Sequence, residues 1–245
     1  MDPYNPLYKD FVEGKIKDLD QCLNNQNQIY GANHWYPLIK DITPESLLFE
    51  LSDQEIKDFT SGIIPNDIRE KIEPILKDYK FVKTTHKSAH AFKLVDTFEE
   101  FENQMLDANV IMSFRRYKCR YLFFRKWTKI NLECRIYVYK SQIKYLEIYR
   151  DANSEFKLDM FKDIFEFVKD QVIPKLTGLY DTFSVDTYFD YTKQTWNVIE
   201  INSPLWLKCG THLIKYDWEK DRIHETEVPI YRFVNYGETV EVKYL

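Results

Sequence analysis

Glycine is scarce in this chain, with six in 245 residues. The polar run Thr84 to His90 holds none of them. That absence excludes a glycine-rich P-loop, which needs glycine for the backbone to wrap a phosphate. Cysteine is equally thin. The four cysteines, Cys22, Cys119, Cys134 and Cys209, are widely scattered and form no C-x-x-C pair. Zinc ligation therefore has little support, and free thiols in a reducing compartment are the simpler expectation. There is no excess of basic charge, since the formal net charge is −5. A protein that wraps a polyanion usually carries the opposite balance, so direct nucleic-acid binding is not expected. One local basic group stands out at Arg115, Arg116, Lys118, Arg120, Arg125, Lys126 and Lys129. Apolar runs of membrane-spanning length are missing, and Met1 to Gly14 is too polar for a signal peptide. A soluble, cytoplasmic protein without membrane contact is the expectation.

What the chain does have is apolar and aromatic mass. Hydrophobic residues make up 44% and aromatic ones 16%, enough to bury a sizeable core in one large domain or two small lobes. The stretch to about Lys80 reads as mainly helical, with one short strand near Leu47, Leu48, Phe49 and Leu51. Ser52 followed by Glu55 forms a capping-box pattern ahead of Ile56 and Phe59. Ile68, Ile72, Ile75 and Leu76 recur at helical spacing, with Pro74 set to shorten or kink that helix. The character changes at Tyr79. Phe81-Val82-Lys83 reads as a strand, and Phe98, Phe101 and Met105 mark one face of a helix. Strands are predicted over Tyr121 to Trp127, Glu133 to Tyr139 and Ile143 to Tyr149, the last two joined as a hairpin at Ser141-Gln142. A long amphipathic helix is predicted from about Lys157 to Leu176, with Pro174 disturbing its last turn. Strands Thr182 to Phe189 and Thr195 to Ile201 should pair antiparallel across Tyr191 to Gln194. Two short strands follow near Val228 to Phe233 and Glu238 to Tyr244. The class is α+β, divided into an N-terminal helical region with part of a first lobe (1–80) and a core (81–245).

Chemistry concentrates on the second hairpin. Glu200 and Asn202 stand two apart on one strand and so face the same way. Cross-strand pairing brings Asp186 towards both. Two carboxylates and an amide then offer oxygens to one point, which like-charge repulsion disfavours unless a cation is present. Magnesium takes such ligands, usually one or two carboxylates with substrate phosphates. Taken alone, the same residues also fit a solvated polar face. Lys83 ends a strand before a polar loop containing Lys87 and Ser88, and is either a surface lysine or a phosphate contact. Arg135 lies inside an apolar strand, either exposed on one face or aimed at an anion. Tyr121 to Trp127 is either an amphipathic core strand or the edge of a base-binding slot.

Taken in order, these segments resemble the cell division cycle protein 123 family, a divergent branch of the ATP-grasp fold. The resemblance runs from about residue 35 to 220. It passes through Trp35-Tyr36-Pro37, Ile42-Thr43-Pro44-Glu45-Ser46, Phe81-Val82-Lys83, Lys87-Ser88 and Arg125-Lys126-Trp127. It continues through Glu133-Cys134-Arg135, Arg150-Asp151, Val185-Asp186, Ile199-Glu200-Ile201-Asn202 and Tyr216-Asp217-Trp218-Glu219. It implies an ATP-grasp-like α+β fold whose two lobes, mainly antiparallel sheets with flanking helices, enclose a nucleotide cleft. It implies ATP and Mg2+ as cofactors, with Asp186, Glu200 and Asn202 on the metal. Lys83 and Arg135 would contact phosphates, with Lys87, Ser88 and Arg150 also at the nucleotide. Arg125, Lys126 and Trp127 would border the base. The implied role is an ATP-dependent assembly chaperone that binds the gamma subunit of eukaryotic translation initiation factor 2 and promotes joining of its alpha and beta subunits. The alternative is an ATP-grasp ligase or kinase acting on a carboxylate or protein substrate. The chain departs from the family at Glu200, where Asp is common, at Ser203, which separates Asn202 from Pro204, and at His212, where the family has Asp.

Overall fold

The computed structural model describes residues 29–65, 67–85, 94–117, 119–151, 157, 159–202, 230–235 and 238–243. The chain divides into two compact units, one spanning Asn24–Thr128 and the other containing Lys129–Leu245. Residue 80, the division read from the sequence, lies inside the first unit, because the strand after it completes that unit's sheet.

In the first unit, β1 (Ser46–Glu50), β2 (Phe81–Thr84) and β3 (Tyr121–Arg125) form a three-stranded sheet in the order β1-β3-β2. Both pairings are antiparallel, with β3 in the centre. Alternation along β3 sends Leu122 and Phe124 to one face and Phe123 and Arg125 to the other. Leu122 and Phe124 join a core built on α2 (Asp53–Thr60), α3 (Ile68–Leu76), α4 (Phe98–Met105) and α5 (Ala108–Tyr117). Phe59 and Phe114 stack at 5.3 Å between ring centroids, joining α2 to α5. A fully buried Phe or Leu contributes about 1.5–3 kcal/mol over an exposed one, so this layer dominates the unit's stability. The first helix among the described residues, α1 (Ala32–Ile39), carries Trp35 and Tyr36 to the Phe123 face.

The expected helix starts are present. Ser52 Oγ accepts from Glu55 N while Ser52 N donates to Glu55 Oε2, and Thr97 with Glu100 repeats the arrangement at α4. Pro74 sits inside α3, which ends two residues later. The helix α5 was not anticipated, because its sequence was read for charge alone.

The second unit holds a six-stranded sheet in the order β7-β6-β4-β5-β8-β9. Its strands are β4 (Leu132–Tyr139), β5 (Gln142–Asp151), β6 (Phe183–Asp190), β7 (Thr195–Asn202), β8 (Ile230–Asn235) and β9 (Glu238–Lys243). All neighbours are antiparallel except β5 and β8, which run parallel. The β4–β5 turn is Lys140-Ser141, with φ of 48° and 60°. Two positive φ values define a type I′ turn, whose twist suits a hairpin but which favours Asn and Gly. The turn is held from outside: Ser141 N donates to Asp181 O at 2.7 Å and Lys140 N to Thr182 Oγ1 at 3.2 Å.

The predicted long helix runs as α6 (Met160–Phe167), a π-helical stretch over Val168–Val172, and α7 (Ile173–Leu176). Pro174 lacks an N–H and its ring collides with the carbonyl of Asp170. The chain widens just before it, and Ile173 N donates to Val168 O instead of one residue closer. Among the described residues, no helix is long and apolar enough to cross a membrane.

Candidate functional site

Two transverse rows on β5-β4-β6-β7 show how the second unit separates chemistry from core. Leu146, Ile136, Val185 and Ile201 align across the four strands, and all are essentially without exposure. The adjacent row, on the opposite face, is Glu147, Arg135, Asp186 and Glu200. One face is oil and the other is a line of charges of mixed sign.

The centre of the charged row is a fork. Arg135 Nε donates to Asp186 Oδ1 at 2.6 Å and Nη2 to Asp186 Oδ2 at 2.8 Å. Asn202 Nδ2 adds a third bond to Asp186 Oδ2 at 3.0 Å. Asp186 is 4% exposed, so its charge is tolerable because Arg135 neutralises it at close range. Glu200 is half-buried and is the register partner of Asp186. A β-bulge, with Ile199 as the extra residue, interrupts β7 directly beside this pair. Bulges of this kind re-aim side chains next to functional sites. Ser184, the register partner of Asn202, has a buried Oγ without a hydrogen-bond partner.

Arg135, left open in the sequence, is paired in this structure with the carboxylate of Asp186. The arrangement also brings together Asp186 and Asn202 and aligns Glu200 with them. Among the described residues, no three His, Cys, Asp or Glu side chains gather as a metal site. The expected donor set is smaller, with two carboxylates and one amide. That set fits a hard cation that draws its remaining ligands from phosphate and water.

The first unit carries a different cluster. Lys83 and Phe123 are register partners, and Arg125 lies two positions along β3, so all three share a face. Arg125 Cζ sits 5.0 Å from the Phe123 ring centroid and Lys83 Nζ 5.9 Å. Both cations are buried. Phe123 is fixed in turn by edge contacts with Trp35 at 6.0 Å and Tyr36 at 5.3 Å. Arg125 Nε donates to Ser46 Oγ at 3.2 Å. Tyr36 Oη donates to Ser46 O at 2.7 Å and accepts from Ser46 N at 3.0 Å, fixing that serine. Two buried cations over one ring make a face suited to anionic oxygens.

The remaining expected residues separate. Lys126 is exposed, donates to Glu45 Oε2 at 2.7 Å and thereby holds the Glu45 carboxyl below its usual range. Trp127 is 57% exposed. Of the Arg125-Lys126-Trp127 run, Arg125 alone turns inward. Arg150 is on β5 opposite Glu133, and its side chain lies outside the described residues. Lys87, Ser88, Ser203, Pro204, His212 and Tyr216 to Glu219 also lie outside them. Within the basic group noted in the sequence, Arg120 pairs with Asp53 and Glu50, and Arg115 donates to Thr60 O.

Sequence reading missed Ser46, Phe123 and Glu147. Glu147 had no local signal, because its place beside Arg135 depends on a bulge in β5 between Ile143 and Tyr145. Phe123 alternates correctly for a strand, but its ring contacts, with Trp35, Tyr36 and Lys83, come from residues distant in sequence.

No family model matches this chain. None of the curated proteins matches it either. Similarity is found among solved structures. C-terminally truncated Cdc123 from Schizosaccharomyces pombe superposes with a TM-score of 0.62 at 15% identity, covering 86% of this chain and 97% of that one. Cdc123 from the same yeast gives 0.59 at 16% identity, with the same coverage. A D-alanine–D-alanine ligase from Bacillus anthracis complexed with ATP reaches 0.44 at 14% identity, over 74% of this chain and 57% of that one. The fold of this chain is therefore the fold of Cdc123. Its mixture of helices and mainly antiparallel sheets is the α+β class expected from the sequence.

Proposed function

We propose that this protein is a member of the Cdc123 family that binds ATP with Mg2+ and acts as an assembly chaperone for eukaryotic translation initiation factor 2, engaging its gamma subunit. The observation that carries the reading is the Arg135–Asp186–Asn202 cluster with Glu200 in register beside it, set in a fold shared with Cdc123. The donor chemistry fits magnesium: Asp186 and Glu200 supply carboxylate oxygens and Asn202 an amide oxygen. Bound there, the metal would neutralise phosphate charge. Within the same unit, Arg135 is a planar fork matched to phosphate as well as carboxylate. In the other unit, Lys83 and Arg125 present positive charge on one buried face.

Titration calorimetry tests the site. Wild type should bind MgATP in the micromolar range, and Asp186→Ala with Glu200→Ala should abolish it. Equal binding by both proteins would reject the metal assignment. A pull-down with purified gamma subunit, with and without ATP, tests the partner. Recovery that depends on ATP supports the chaperone role. No recovery at high concentration, with ATP binding intact, would favour a ligase or kinase.

A further inference from the structure

The charged row assigns a role to a residue outside the expected ligand set. Arg135 stands between two acids that are both its register partners, Asp186 on β6 and Glu147 on β5. Directly opposed residues on a sheet face have Cβ atoms about 5 Å apart, so a long guanidinium reaches either neighbour. Glu147 is 5% exposed. A carboxylate so removed from water is costly without a cation close by, and its two register partners are both arginines, Arg135 on β4 and Arg232 on β8. The fork to Asp186 uses Nε and Nη2, two of the three nitrogens of a group with five N–H donors.

Resting on the proposed metal role of Asp186, we infer that Arg135 is the competing cation of the metal site and that Glu147 is the positioning residue that draws it off. In this conformation Arg135 occupies both carboxylate oxygens that a metal would need. A cation entering beside Asp186 must break two charge-assisted hydrogen bonds. Glu147 offers the released guanidinium a second acid one strand away, so the exchange does not leave Arg135 as an isolated buried charge. Asn202, which bonds the same Asp186 oxygen, holds that carboxylate in place while the arginine moves.

The test counts Mn2+ bound to the full chain without nucleotide, reading free Mn2+ by electron paramagnetic resonance. Arg135→Gln should tighten Mn2+ binding by about tenfold or more, since it removes a unit charge from hydrogen-bonding distance of the ligand carboxylate. Glu147→Gln should weaken binding several-fold in the wild-type background and leave it unchanged in Arg135→Gln. That dependence separates action through Arg135 from a general field or direct ligation. Arg69→Gln, which removes an exposed arginine from the other unit, controls for net charge and should leave affinity unchanged. Arg135→Lys keeps the charge but not the fork, and should fall between wild type and Arg135→Gln. It remains informative should the glutamine variant fail to fold. Equal or weaker Mn2+ binding in Arg135→Gln and Arg135→Lys, with Asp186→Asn abolishing it, overturns this inference and spares the metal assignment. A Glu147→Gln effect of the same size in both backgrounds overturns the role of Glu147. No Mn2+ binding by any variant, even with ATP present, overturns both this inference and the proposed function.

Discussion

Replacing Phe123 by leucine removes a ring while keeping most of an apolar side chain. A swap of similar volume in a packed core usually costs below about 1.5 kcal/mol. The expected cost here is larger, because the ring's charge distribution is used from several directions. Trp35 and Tyr36 approach it edge-on at 6.0 and 5.3 Å, and such pairs are worth about 0.5–1.5 kcal/mol each beyond burial. Arg125 lies over it at 5.0 Å out of contact with bulk water, where a cation–π contact adds about 1–2 kcal/mol. These terms overlap, so a total of about 3 kcal/mol is expected for Phe123→Leu, with Phe123→Ala at about 4–5 kcal/mol. Hydrogen exchange at the β2 and β3 amides reads the stability of that unit directly. A loss of about 3 kcal/mol should speed exchange there by roughly a hundredfold or more. The second unit's sheet serves as internal reference. If Phe123→Leu costs below about 1 kcal/mol while Phe123→Ala costs its full amount, the ring is mere filler. The buried cations of this face would then owe nothing to it.

Three further outcomes follow from other parts of the structure. Lys140→Asn with Ser141→Gly fits the type I′ turn and should stabilise the protein by about 1 kcal/mol in urea titration, provided Ser141 N and Lys140 N keep their acceptors at Asp181 and Thr182. At α2, burial pushes the Glu55 carboxyl up, but hydrogen bonds from Lys71 and the Ser52 cap outweigh it, so its folded value lies below 4.5. Its contribution is therefore complete above pH 4.5 and lost as pH falls through the folded value; Glu55→Gln should cost about 0.5–1 kcal/mol at pH 7 and flatten the acid limb of the stability profile. Burial pushes the Cys119 thiol up, and Cys134 is equally buried, so mass mapping after a thiol reagent at pH 8 should find both unmodified until the protein is denatured.

Strands and helix starts were legible because each depends on a few neighbouring residues. The capping box at Ser52 and the alternation through β3, β4 and β6 are local patterns, and they appear where expected. Pro174 was read as a disturbance at the helix end. Its effect reaches further back, because the missing N–H belongs to a bond that starts a full turn earlier. The Asp186, Glu200 and Asn202 alignment was legible because a single turn joins β6 and β7. The fork from Arg135 was not, because its partner lies on a strand that the long helix separates from it. The parallel pairing of β5 with β8 was hidden for the same reason. Local pattern identifies a strand but not its neighbour across a long connection.

The position of Arg135 between two acids also sets an order in time. During synthesis β4 emerges first, and β5 folds back on it across a two-residue turn, a contact of low sequence separation and therefore an early one. At that stage the acid aligned with Arg135 is Glu147. Asp186 is made only after the long helix has followed. The arginine thus has an acid in register from the moment its hairpin closes, and the arriving β6 brings a second. A strand docked one residue out of step would bring Val185 or Thr187 to that position, and neither offers a carboxylate. The row of charges then works as a proofreading mark on the growing sheet, giving the correct register a reward that a slipped one lacks.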